Sequence, residues 1–167
     1  MPKWWPFQKQ ENNFAKENDA FAQAEAILRS QLKQQQAEGV SAQAILYFIE
    51  NQSQELEKAE QTTELKGQLR AYDLLYSELR PRILENLSSG KALEMAGRIE
   101  EACQHYEQAV RDQVSTRFPY EHLRVIYRRE GKFEDALRIC NLAVQNPFLS
   151  EKDQAHFQQW AAKLKQS

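Results

Sequence analysis

Cysteine, glycine and proline are all scarce in this chain of 167 residues: two Cys, five Gly and five Pro. The two cysteines, Cys103 and Cys140, lack the C-x-x-C spacing of a zinc or dithiol redox motif. They are expected to be reduced thiols at inward-facing positions of a cytoplasmic protein. So few glycines and prolines exclude a fold built on many tight turns, such as a β-sandwich. No apolar run approaches the roughly 18 residues needed to span a bilayer. The N-terminal stretch is too poor in apolar residues for a secretory signal. Charge of one sign is also missing: the net charge is −2 and the pI about 6.0. That removes any global attraction to nucleic acid. There is no phosphate-binding glycine loop, H-E-x-x-H or G-x-S-x-G. His105, His122 and His156 are dispersed over different predicted helices. No metal, cofactor or catalytic base is expected from them, and the chain does not read as an enzyme.

The residues that remain are helical in pattern. Apolar side chains make up 41% and charged ones 28% of the chain, which suits an all-α fold. Phe14, Phe21 and Leu28 recur every seven residues, flanked by Ala24, Ile27 and Leu32, and predict a long amphipathic helix over about 11–37. Gly39 is its expected stop. Ser41 is placed to cap a second helix carrying Ile45, Leu46, Phe48 and Ile49. A Thr at 62 or 63 is placed to cap a third, with Leu65, Leu69, Tyr72, Leu75, Tyr76 and Leu79 on one stripe. Gly67 and Ala71 are small enough for a close helix crossing there. Arg80-Pro81 is expected to end that helix, since a residue before proline avoids the α region. The predicted layout is an aromatic tail over 1–10, a helical segment over 11–80 and a further region over 81–167. About eight helices are expected in all.

The region after Pro81 contains a duplication. GRIEEACQHYEQAV from Gly97 recurs as GKFEDALRICNLAV from Gly131, an offset of 131 − 97 = 34 residues. Ala102 pairs with Ala136, Ala109 with Ala143, Val110 with Val144, and Tyr106 with Cys140. The acidic pairs Glu100-Glu101 and Glu134-Asp135 open helices, where they suit the helix dipole. Ser150, with Asp153 three residues on, is a capping signal for a last helix carrying Phe157, Trp160, Ala161 and Leu164.

A 34-residue period with two helices per unit resembles the tetratricopeptide repeat family. Tyr120, Leu123, Tyr127, Gly131, Ala136, Ala143 and Pro147 match its pattern in the second unit. Gly90, Leu93, Gly97, Ala102, Tyr106 and Ala109 match in the first. Arg124 departs from it, standing where a small residue normally lets two helices approach, and Cys140 replaces an aromatic. The resemblance covers about 83–148. It implies helical hairpins stacked in a right-handed superhelix, closed by a solvating helix. It also implies a concave groove formed by first helices. Carried onto this chain, the groove positions are Leu84, Leu87, Lys91, Glu94 and Met95 in the first unit. In the second they are Phe118, Glu121, Val125, Arg128 and Arg129. This mix suits an acidic-hydrophobic peptide or partner protein, and the chain's own residues 11–80 are the competing occupant.

The expectation is therefore a non-catalytic adaptor or scaffold. The alternative is a nucleic-acid-associated protein using the basic stretch Arg117, Arg124, Arg128, Arg129 and Lys132, although Glu121, Glu130, Glu134 and Asp135 interrupt it. Trp4, Trp5 and Phe7, flanked by Lys3 and Lys9, are candidates for covering the chain's own surface, for docking into a partner, or for touching a membrane surface. The heptads of the first helix allow a homodimer through the N-terminal helices, with packing inside the chain as the competing use.

Overall fold

The computed structural model describes the backbone of residues 5–166 and the side chains of residues 10–166. Seven helices make up the described residues: α1 (Trp5–Ala37), α2 (Ala42–Glu57), α3 (Thr63–Met95), α4 (Ile99–Arg111), α5 (Phe118–Arg129), α6 (Phe133–Gln145) and α7 (Glu151–Leu164). The fold is all-α, with no strand among the described residues.

Two of the expected boundaries need correction. The helix expected from about residue 11 begins at Trp5, so residues 5–10 of the expected tail are helical. Pro6 stands in the first turn, where a missing N–H leaves no intrahelical bond unmade. Trp4 lies outside the described residues, as do the side chains of Trp5 and Phe7. The second correction is at Pro81, which stands inside α3 and does not end it. One helix therefore replaces the two expected there. Apolar burial on both sides, at Leu75 and Ile83, outweighs the backbone bond that proline cannot make. The division into compact units nonetheless falls at this point: residues 1–40 and 44–80 form one unit, and residues 41–43 and 81–167 the other.

The first unit is built on the predicted stripes. Leu28, Ile45, Ile49, Ala71 and Leu75 form a buried cluster, with Phe21, Ala24, Leu32, Phe48 and Tyr72 packed against it. Gly67 shows why a small residue is needed at the crossing of α1 and α3. A Cβ there would come within 2.3 Å of the Glu17 carbonyl oxygen and 2.8 Å of the Phe21 nitrogen. Surface pairs line the same contact: Arg70 donates to Glu17 at 2.9 Å, and Arg29 to both Glu78 oxygens at 3.0 Å. Exposed pairs of this kind contribute little. The apolar crossing holds the helices. Upstream of it, residues 10–16 of α1 are all exposed, Phe14 by 65%.

In the second unit the duplication folds as two hairpins. The first is α3 beyond Pro81 with α4, the second α5 with α6, and α7 follows. Both α3 and α5 end in the same way. Gly97 (φ 76°) and Gly131 (φ 74°) take the left-handed conformation. The next residue's N–H then bonds back to Leu93 at 2.9 Å and to Tyr127 at 2.8 Å. The matched alanines Ala102, Ala109, Ala136 and Ala143 are all fully buried, which lets the helices approach closely. Asn146 is also fully buried. Its amide donates to the carbonyls of Gln113 and Val114 at 3.2 and 3.1 Å and lies 2.8 Å from the Tyr120 hydroxyl. Its oxygen accepts from the Phe148 N–H at 2.9 Å. This one amide joins the α4–α5 turn to the start of the last loop. Ser150 caps α7, accepting from the Asp153 N–H at 3.2 Å.

Candidate functional site

The groove positions expected on the second unit divide into a closed part and an open part. The closed part begins at Gly90, whose missing Cβ makes room for the ring of Tyr106; a Cβ there would come within 2.5 Å of that ring. Tyr106 donates from its hydroxyl to Glu94 at 2.8 Å. Burial, and then the Glu94 carboxylate, push the tyrosine above its ordinary pKa. His122 Nδ1 lies 2.6 Å from the same Glu94 oxygen, and its ring stacks on Phe118 with centroids 4.1 Å apart. Glu121 is tied to Arg124 on its own helix and lies 3.0 Å from His156 Nε2 on α7. Burial alone would raise the Glu121 carboxyl. The bonds from Arg124 and His156 outweigh it and hold the group below its ordinary value of 4.5. Glu94, Phe118 and Glu121 are thus engaged in joining one helix to the next.

The open part is a concavity of about 420 Å³ lined by Arg124, Val125, Arg128, Arg129 and Trp160. Its floor is an indole covered by cations. The guanidinium carbon of Arg124 lies 3.8 Å from the Trp160 ring centroid, that of Arg128 5.4 Å, and the Lys163 ammonium 4.8 Å. A desolvated cation over an aromatic face is worth about 2 kcal/mol. Arg124 is buried to 4% exposure, so this stacking and its bond to Glu121 replace the water it has lost. The basic stretch read from the sequence is therefore not one patch. Arg117 pairs with Asp153 at 3.5 Å, Lys132 with Glu130 at 2.8 Å, and Arg124 with Glu121. Arg128 and Arg129 are exposed, and neither has a carboxylate at ion-pair distance among the described residues.

Of the ten expected groove residues, Val125, Arg128 and Arg129 line this concavity. Leu84 and Met95 are exposed by 48% and 81%, Lys91 is exposed and Leu87 half-buried. None of these four lines it.

Sequence reasoning missed Trp160 as a lining residue and missed the structural use of His122 and His156. A signal for the histidines was available: 156 − 122 = 34, the repeat offset. It also missed the fit of Arg124. The sequence pairs a large Arg124 with a small Cys140 where the first hairpin pairs Gly90 with Tyr106.

Cys103 corrects another expectation. It is half-buried, not inward-facing, and lines a second concavity with Glu107, Tyr127 and Lys132. Cys140 is fully buried. Burial pushes both thiols up to about 11, so neither is a ready nucleophile. Among the described residues no group of three or more His, Cys, Asp or Glu is placed to hold a metal ion. No helix among them is long and apolar enough to cross a membrane.

The fold and surface thus define an all-α protein with a duplicated hairpin and a basic, aromatic concavity. Comparison with family models, curated proteins and solved structures returns no match.

Proposed function

We propose that the chain is a non-catalytic interaction module, an adaptor or scaffold, that takes an acidic-apolar segment of a partner protein at the Trp160 concavity. One observation carries the reading: Arg128 and Arg129 stand open beside Val125 and the indole, with no carboxylate of their own. Tryptophan and arginine are the side chains that most often dominate protein interfaces. Carboxylates of a ligand would meet the guanidiniums in charge-assisted bonds, while an aliphatic side chain would cover Val125 and the indole edge. The resemblance to tetratricopeptide repeats supports the same role, since first-helix surfaces of that family hold peptides. Nucleic acid is the weaker reading, because Arg117, Arg124 and Lys132 are already paired within the chain.

The test is a fluorescence-anisotropy titration with labelled peptides that alternate Glu and Leu, against neutral peptides of the same length. Arg128→Ala with Arg129→Ala should weaken binding at least about tenfold, equivalent to about 1.4 kcal/mol. Equal affinity for the neutral peptides, or no effect of the double substitution, would sink the reading. Preference for single-stranded oligonucleotides, with a steep loss on adding salt, would replace it with the nucleic-acid alternative.

A further inference from the structure

The second turn of the chain, between α2 and α3, carries charge in an unfavourable place. The last turn of α2 holds Glu55 and Glu57 and no basic residue. Carboxylates there face the negative end of the helix dipole, where cations are favoured. The corner that follows adds Glu60, and residues 57–62 are all exposed. Lys58 answers only Glu55, at 2.6 Å. Glu57 and Glu60 have no basic partner at ion-pair distance among the described residues. The corner is nonetheless well formed. Gln61 donates from its amide to the carbonyls of Leu56, Glu57 and Ala59 at 3.4, 3.3 and 3.1 Å. Thr62 caps α3, its hydroxyl accepting from the Leu65 N–H at 3.2 Å. Residues 57–62 thus form an exposed, hydrogen-bonded corner that carries Glu57 and Glu60 beside a small apolar residue, Ala59, and gains nothing from the dipole of α2.

The same chain carries the complement: a basic concavity with an apolar wall and two guanidiniums without a carboxylate. We infer that the chain associates with itself, the α2–α3 corner of one copy seating in the Arg128–Arg129–Trp160 concavity of another. This rests on the reading of that concavity as a site for acidic-apolar segments, and it names a second copy as the partner. The contact is heterologous, joining two different surfaces, so each added copy leaves one corner and one concavity free. Mass therefore rises with concentration until a ring closes, instead of stopping at a two-fold dimer.

The experiment is light-scattering mass measurement on the full chain over a wide concentration range. Two charge-removing variants are compared, Arg128→Ala/Arg129→Ala and Glu57→Gln/Glu60→Gln, both checked for unchanged helicity. The unaltered chain should grow with concentration, and association should weaken at least about tenfold between about 50 mM and about 500 mM salt. Each variant alone should stay monomeric. Cross-pairing distinguishes this contact from every other. The first variant keeps its acidic corner and the second keeps its basic concavity. A mixture of the two should therefore give a one-to-one dimer and nothing larger. A chain that stays monomeric at every concentration overturns the inference, as does association that either variant leaves intact, or a mixture that forms no dimer. If the monomeric chain still binds the Glu-Leu peptides, self-association alone has failed; if it binds neither, the reading of the concavity has failed with it.

Discussion

The two hairpins of the repeat solve one packing problem in opposite ways. In the first, glycine at 90 faces a large buried ring at 106. In the second, the equivalent positions hold a long charged side chain at 124 and a small thiol at 140. The large member of the pair has changed sides. The exchange alters what each hairpin needs from its neighbour. Tyr106 brings one hydroxyl inward, and a single carboxylate, Glu94, satisfies it. Arg124 brings a full charge, and needs both Glu121 and the face of Trp160. The second hairpin is thus completed by α7, and in being completed it creates the basic concavity.

Substitutions can break this comparison. The largest effect is expected from Tyr106→Ala, which empties a fully buried site and leaves Glu94 with His122 alone. It should cost about 3–5 kcal/mol, measured by denaturant unfolding. Gly90→Ala follows. Its Cβ would collide with a ring that has no solvent to swing into, at a cost of about 1–3 kcal/mol. If Gly90→Ala is harmless, the first hairpin is not packed on that ring. Arg124→Ala should cost about 2 kcal/mol through the lost stacking. It should also cost more than the same change at the exposed Arg129; equal losses would show that Trp160 does not support the guanidinium.

The smallest and most gradual effect is acid sensitivity. Glu107 and Glu121 sit below their ordinary value of 4.5: burial alone would raise both, and bonds from Arg138 and Tyr127 to the first, and from Arg124 and His156 to the second, outweigh it. A carboxyl lowered in the folded state lends stability that is fully present above 4.5 and lost as pH falls through the lower folded value. Melting temperature should therefore fall on acidification below about 4.5. Glu121→Gln should flatten that fall, and an unchanged slope would count against the Glu121 network.

Much of this architecture could be read before any coordinates. Helical period, the glycine stop at 39 and the caps at Thr62 and Ser150 are local signals, and each is decided by its own few residues. The helix through Pro81 was illegible because burial at Leu75 and Ile83, a tertiary quantity, overrides a local preference. The candidate site was half legible. Repeat position put Val125, Arg128 and Arg129 on one surface, but it could not tell that Glu94, Phe118 and Glu121 are used up in joining helices. Nor could it bring Trp160 beneath Arg124, since that contact depends on how α7 lies against α5.

The buried amide of Asn146 has a consequence for how the molecule ages. Asparagine most readily loses its amide nitrogen when the next residue's backbone N–H attacks the side chain, and the next residue here is Pro147, which has no N–H. The usual route is closed by sequence, and burial keeps water from opening another. The protection falls on a group whose loss would be costly. A carboxylate in its place would turn oxygen towards the carbonyls of Gln113 and Val114, two acceptors that now receive hydrogen bonds. The junction that ties the α4–α5 turn to the last loop is therefore chemically durable as well as well packed.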